Sequence, residues 1–119
     1  MVRYFHTNNE NKDYDTNVTV EVTTNSGDLA LSVSSQFEEF DDNSNHTYDL
    51  DVYDPGAQKR NFLDGGSTKI IIQPVGNDTW QFNYRVTLYF EDGDRLNSGA
   101  NNLELNEENK ESSDFPITQ

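Results

Sequence analysis

The sequence predicts an all-β fold, a single antiparallel β-sandwich of about seven or eight strands. Within residues 79–90 the apolar side chains fall on every even position, and such alternation gives a strand one buried face. Those residues are Trp80, Phe82, Tyr84, Val86, Leu88 and Phe90. Turn-forming residues recur at intervals of roughly ten, which is typical of sandwiches and barrels. No segment keeps the spacing of a long amphipathic helix.

The remaining elements follow from the same alternation. Residues 16–24 and 29–33 flank a turn at Gly27, which can adopt the positive φ of a tight turn, and they predict the clearest hairpin. Residues 47–53 predict an amphipathic strand with an acidic outer side. Residues 69–73 contain three consecutive isoleucines, which favour a strand buried on both faces. Further short strands are predicted at 2–6, 61–63 and 103–105.

The chain organisation is predicted as one domain over 1–105 followed by a mobile acidic tail over 106–119. A chain of 119 residues has the size of one domain and can bury a core without disulfides. The composition turns polar and charged after residue 105. Docking of Phe115, Pro116 and Ile117 onto a sheet remains open, although the proline argues against a central strand there.

The charge balance limits the classes of partner. The chain has 22 acidic and 8 basic residues and a net charge of −14. Nucleic acid requires clustered cations, which are missing, and an anionic membrane would repel such a chain. The acidity fits simple solubility, a cation site or a basic partner. Without cysteine or an apolar leader, we expect a cytoplasmic protein, or a secreted one whose signal has been removed.

Motifs of catalysis are missing from the sequence. There is no nucleophile elbow, phosphate loop or dinucleotide glycine motif, and His6 and His46 lack the spacing of a zinc site. We therefore predict no enzymatic activity and no resident cofactor, apart from one candidate calcium site.

The candidate calcium site is an acidic cluster in the middle of the chain. Ca²⁺ prefers several carboxylate oxygens, and a strand over 47–53 would place two of these carboxylates on one face, roughly 7 Å apart. The alternative is a solvated acidic surface. The candidate ligands are Glu38, Glu39, Asp41, Asp42, Asp49 and Asp51.

The candidate binding face is the polar side of residues 79–90. It carries Gln81, Asn83, Arg85 and Tyr89, which offer planar amides, a guanidinium and a ring. Tyr and Arg are frequent anchors of protein interfaces, and the same groups also hold sugars. Cross-strand pairing on an exposed sheet is the purely structural alternative.

A small, acidic, cysteine-free all-β chain is similar in general profile to the aegerolysins and to fungal β-sandwich lectins. The resemblance implies lipid or carbohydrate binding as alternative functions, and it assigns no residue. From the residues themselves, we predict a non-enzymatic protein that binds a protein partner or a second copy through a sheet face or an edge strand.

Overall fold

The computed structural model of the chain describes residues 2–9, 16–35, 44–74, 76, 79–91 and 93–119. Within them the strands are β1 (Val2–Asn9), β2 (Asn17–Thr23), β3 (Leu29–Ser35), β4 (Ser44–Asp49), β5 (Asp51–Val52), β6 (Ser67–Gln73), β7 (Trp80–Tyr89), β8 (Arg95–Leu105) and β9 (Phe115–Pro116). A 3-10 helix (Pro55–Ala57) and a one-turn helix α1 (Arg60–Leu63) lie between β5 and β6.

The strands form two antiparallel sheets that pack face to face, which confirms the predicted sandwich. Sheet I has the order β4-β1-β7-β8, and sheet II has the order β5-β3-β2-β6-β9. The predicted hairpin is also confirmed, since β2 pairs with β3 around a turn in which Gly27 has a φ of 90°. An L-residue with a side chain rarely adopts that φ.

The core lies between the sheets and is dominated by β7. Its residues alternate between buried and outward positions along the whole strand, as the sequence predicts. Trp80 and Phe82 stack with ring centroids 3.8 Å apart, and Leu88 is fully buried. Such aromatic burial compensates for a low apolar fraction, because each ring removes a large area from water. Phe90 lies just beyond the strand and is half-buried.

The predicted single strand over 47–53 is wrong, because the chain changes sheets at Leu50. β4 pairs with β1 in sheet I, whereas β5 pairs with β3 in sheet II. Leu50 is fully buried at the crossing, and its N–H donates to the Arg3 carbonyl at 3.3 Å. The alternation of polar and apolar residues is unaffected by this crossing, which is why the sequence did not reveal it.

Three smaller predictions also differ from the structure. Residues 61–63 belong to helix α1, where the backbone bonds back to Lys59 and Arg60. Residues 103–105 are the end of β8, which runs unbroken through the predicted loop at 97–102. Ile71 points outward from sheet II between its two buried neighbours. The conformation of a short segment depends on which neighbouring segments can form backbone hydrogen bonds with it. That conformation cannot be predicted from the residues of the segment alone.

The C-terminal segment connects the two sheets along one side of the sandwich. β9 pairs with β6 in sheet II, while Thr118 exchanges two backbone hydrogen bonds with Asn97 of β8 in sheet I. Ile117 between them is fully buried. The structure therefore has the docked arrangement that the sequence left open, and Pro116 stands in an edge strand, where proline is tolerated.

None of the described helices is long and apolar enough to cross a membrane.

Candidate functional site on the outer face of sheet I

The outward side of sheet I, hereafter the arginine face, carries the candidate site. Strand register places its side chains in rows, because residues directly opposite each other point to the same side of a sheet. The first row consists of Val2, Tyr89 and Arg95. The second row consists of Asp49, Tyr4, Thr87 and Asn97. The third row consists of Thr47, His6, Arg85 and Gly99. Beyond them lie Asn8, Asn83, Gln81 and Glu104.

Two of the four predicted face residues use their polar groups within the sheet. Gln81 donates from Nε2 to Glu104 Oε1 at 2.9 Å, and Asn83 Oδ1 accepts from the Asn102 N–H at 2.8 Å. The second contact supports a bulge in β8, where Asn102 has a φ of 59°. These two amides therefore match the structural alternative better than a ligand site.

The other two predicted residues, Arg85 and Tyr89, remain available. Arg85 is exposed and makes no side-chain hydrogen bond or ion pair within the described part of the chain. The Tyr89 ring is 40% exposed and meets the edge of Tyr4 at a centroid distance of 6.4 Å. The pair presents apolar ring area beside a guanidinium.

Sequence reasoning missed three members of this face. Tyr4 and His6 come from β1 and Arg95 comes from β8, strands that flank β7. The alternation of Val2, Tyr4 and His6 with buried Phe5 and Thr7 was the available signal for β1. No sequence signal shows that β1 lies beside β7, since more than seventy residues separate them.

All large apolar side chains that are exposed in the described residues lie toward one end of the sandwich. They are Val2, Tyr4, Val52, Tyr53, Phe62 and Tyr89. The turns meet at this end: Asn25 of the β2–β3 turn bonds to the Phe62 carbonyl, and Arg60 lies 2.9 Å from Asp94 of the β7–β8 turn. Tyr53 is the most exposed of the six, at 67%.

The candidate calcium site is only partly described. Glu38, Glu39, Asp41 and Asp42 lie outside the described residues. Asp49 and Asp51 do not share a strand face, because they belong to different sheets. Among the described residues, no group of three or more acidic or histidine side chains is arranged to hold a metal ion. Calcium binding by the four acidic residues at 38–42 stays a prediction.

A chain of buried hydroxyl groups lies under the arginine face. Tyr84 Oη is 2.8 Å from Thr68 Oγ1, which is 2.6 Å from Ser98 Oγ, and Ser98 donates to the Phe115 carbonyl at 2.9 Å. Burial raises the pKa of Tyr84 to about 12, against a smaller lowering by the Thr68 hydrogen bond. The phenol therefore stays protonated at neutral pH. The hydrogen-bonded hydroxyl groups link β6, β7, β8 and β9 across the core.

A scan against protein-family models finds no match, and no curated protein sequence matches this chain significantly.

Proposed function

We propose that this chain is a non-enzymatic binding protein that holds a protein partner against the arginine face. The observation that carries the proposal is the grouping of Val2, Tyr4 and Tyr89 at one end of that face, beside Arg85 and Arg95. Contiguous exposed apolar area marks interaction sites, and Tyr and Arg are the residues most enriched among interface anchors.

The outer face of sheet II supports the choice by contrast. Five of its described outward residues are serine or threonine, and hydroxyls of four of them pair with one another. The small hydroxyl side chains that are satisfied within the sheet offer a partner little area and few unused donors. We name this surface the hydroxyl face; it includes Asn17, Thr19, Glu21, Thr23, Leu29, Ser32, Ser34, Asp51, Ser67, Lys69, Ile71 and Gln73.

The test compares one variant on each face. A partner is isolated from the source cell and purified, and its affinity is measured by calorimetry for the wild-type chain, Tyr4→Ser/Tyr89→Ser and Thr19→Ala/Ser34→Ala. We expect the tyrosine variant to bind at least tenfold more weakly, because interface anchors contribute about 2 kcal/mol or more. The hydroxyl-face variant should bind like wild type.

Two outcomes would refute the proposal. One is a partner that binds both variants as tightly as wild type. The other is the failure to find any protein whose binding depends on the arginine face. Light scattering of the pure chain covers the case in which the partner is a second copy, since a dimer would exceed the monomer mass of 13.6 kDa.

A second candidate function, binding to a lipid surface, is favoured by one observation. The six large apolar residues that are exposed in the described part of the chain lie toward the same end of the sandwich, as a membrane-docking end requires. Asp51, Asp54 and Asp64 also lie at this end, so an uncharged bilayer suits it better than an anionic one. Co-sedimentation with phosphatidylcholine vesicles tests it, and Tyr53→Ser should abolish pelleting; a wild-type chain that stays in the supernatant refutes it.

A further inference from the structure

Arg85 and Arg95 form no ion pair with the described acidic residues, in a chain with a large excess of acid. The sequence has 22 acidic residues for 8 basic ones, so a surface cation has many carboxylates within reach. Other cations do form ion pairs: Arg60 lies 2.9 Å from Asp94 and 3.6 Å from Asp64, and Lys69 lies 3.7 Å from Asp114. Within the described part of the chain, Arg85 and Arg95 form no ion pair and no side-chain hydrogen bond.

The register of the sheet explains why these two arginines stay unpaired. Arg85 stands opposite His6 on one side and Gly99 on the other, and Arg95 stands opposite Tyr89. No carboxylate occupies a position directly across from either one in the described strands. An adjacent cross-strand position is where an acidic residue would pair with an arginine most easily.

The acidic residues closest to the two arginines in the register form no ion pair with them in the described part of the chain. Asp49 lies on β4, with β1 between it and β7, and Glu104 accepts a hydrogen bond from Gln81 at the far end of the sheet. Asp94 precedes Arg95 in the chain but is paired with Arg60. Among the described residues, neither arginine therefore has a paired carboxylate, although the whole chain has a charge of −14.

The spacing of the two arginines suits an extended ligand. Arg85 and Tyr89 are four residues apart on β7, and Arg95 is opposite Tyr89. At about 3.3 Å per residue, the backbone positions of the two arginines are offset by roughly 13 Å along the strands. Arg85, Gly99 and Thr118 are among the residues that line a shallow depression.

We propose that the partner presents an extended acidic segment whose carboxylates are bound by Arg85 and Arg95, while Tyr4 and Tyr89 contact the apolar groups of the segment. This inference rests on the proposed function. An unpaired guanidinium binds a carboxylate through two parallel hydrogen bonds, and such charge-assisted bonds are the strong ones. A segment with two acidic residues four positions apart has the matching span. Elsewhere the negative charge of the chain repels the segment, so the binding position is selective.

Blocked peptides of eight residues test this inference by NMR. The probe has two glutamates four positions apart among threonine and leucine, and the control peptide has glutamine at both places. We expect the glutamate peptide to shift the Nε–Hε signals of Arg85 and Arg95, and to bind at least tenfold more tightly than the glutamine peptide. A sulfated oligosaccharide is titrated in parallel.

Matched variants locate the effect. The variant Arg85→Gln/Arg95→Gln should bind the glutamate peptide at least tenfold more weakly than wild type does. Its thermal unfolding should match wild type, because neither arginine makes an ion pair in the described structure. Lys69→Gln, on the hydroxyl face, should leave the affinity unchanged. Equal affinity for the two peptides, equal affinity of the arginine variant, or binding of the oligosaccharide alone would overturn the inference.

The inference and the proposed function fail in different ways. If the purified partner loses affinity for Tyr4→Ser/Tyr89→Ser but not for Arg85→Gln/Arg95→Gln, the face binds a partner without using carboxylates, and only the inference is wrong. If neither variant changes the affinity for the partner, the arginine face is not the binding surface and both are wrong.

Discussion

The two outer faces of the sandwich differ in where their polar groups find hydrogen-bond partners. On the hydroxyl face, Thr19 and Ser34 are 2.9 Å apart and Thr23 and Ser67 are 2.7 Å apart, so short side chains satisfy one another across the strands. On the arginine face, Arg85, Arg95 and the hydroxyls of Tyr4 and Tyr89 make no such hydrogen bond within the described part of the chain. Polar groups that are satisfied within a sheet stabilise it, and groups left unused can bind something else.

The same contrast distinguishes the cations of the two faces. Lys69 on the hydroxyl face stands opposite Glu21 in the register and lies 3.7 Å from Asp114. Arg85 on the arginine face stands opposite a histidine and a glycine. Exposed ion pairs contribute little to stability. The difference between Lys69 and Arg85 therefore affects which side chain can bind a partner more than it affects folding. Substitutions can test each part of this comparison.

The largest effect is expected at Gly99, where the arginine face depends on the absence of a side chain. A Cβ at this position would lie 2.2 Å from the Tyr84 carbonyl oxygen and 3.0 Å from the Arg85 Cα. Gly99→Ala should lower the free energy of unfolding by about 3 kcal/mol, because β7 and β8 must move apart. Denaturant unfolding measures it.

The matched control for Gly99→Ala is Ser32→Ala on the hydroxyl face. It changes a small side chain without adding atoms, and it should change stability by less than about 0.5 kcal/mol. If Gly99→Ala unfolds at the same denaturant concentration as Ser32→Ala, the close approach of the two strands at Gly99 does not constrain the sequence.

A slightly smaller effect is expected at alkaline pH, from the tyrosine that lies beneath the arginine face. The Tyr84 pKa is about 12 in the folded chain, against 10.0 for an unperturbed tyrosine, so the folded chain holds this proton more tightly than the unfolded chain. Its contribution is complete below pH 10 and is lost as the pH rises toward 12, at a cost of about 2 to 3 kcal/mol.

Unfolding measured from pH 9 to pH 12 should therefore show a steep loss of stability in wild type, at about 1.4 kcal/mol for each pH unit above 10. The loss should be shallower in Tyr84→Phe. Tyr89→Phe is the control on the same strand, because its ring points outward and the wild-type slope should persist. Identical slopes in both variants would show that Tyr84 does not carry the effect.

The smallest effect concerns one threonine on each face. Thr23 Oγ1 lies near two oxygens of Ser67, at 2.7 and 3.2 Å, whereas Thr87 Oγ1 donates one bond of 3.2 Å to Asn97. Thr23→Val should lower the free energy of unfolding by about 1 kcal/mol, and Thr87→Val should lower it by less than about 0.5 kcal/mol. Thermal unfolding gives the order, and a reversed order would mean that the hydroxyl contacts do not stabilise sheet II.

Long-range register limited what could be predicted of the candidate site. Arg85 and Tyr89 were identified from β7 alone, since they alternate with buried residues on the same strand. Tyr4 and Arg95 were missed because their places beside β7 depend on which strands pair. Gln81 and Asn83 were assigned to the binding face, but their amides bond within β7 and β8, and only the structure shows these contacts.

The sequence by itself determined the layers of this protein. The alternation along β2 and β7 specifies which side chains face the core, because a strand turns successive side chains to opposite sides. A chain with several such strands must cover their apolar faces, and two facing sheets do so.

Only the tertiary structure decided which strands are neighbours and where the chain passes between sheets. Leu50 and Ile117 are both buried where the chain passes from one sheet to the other, and neither crossing disturbs the local pattern of polar and apolar residues. Strand pairing depends on backbone hydrogen bonds between distant segments, and these bonds are nearly independent of side-chain identity. For that reason, the pairing of the strands decides which residues lie together on the arginine face, and the sequence alone does not show this pairing.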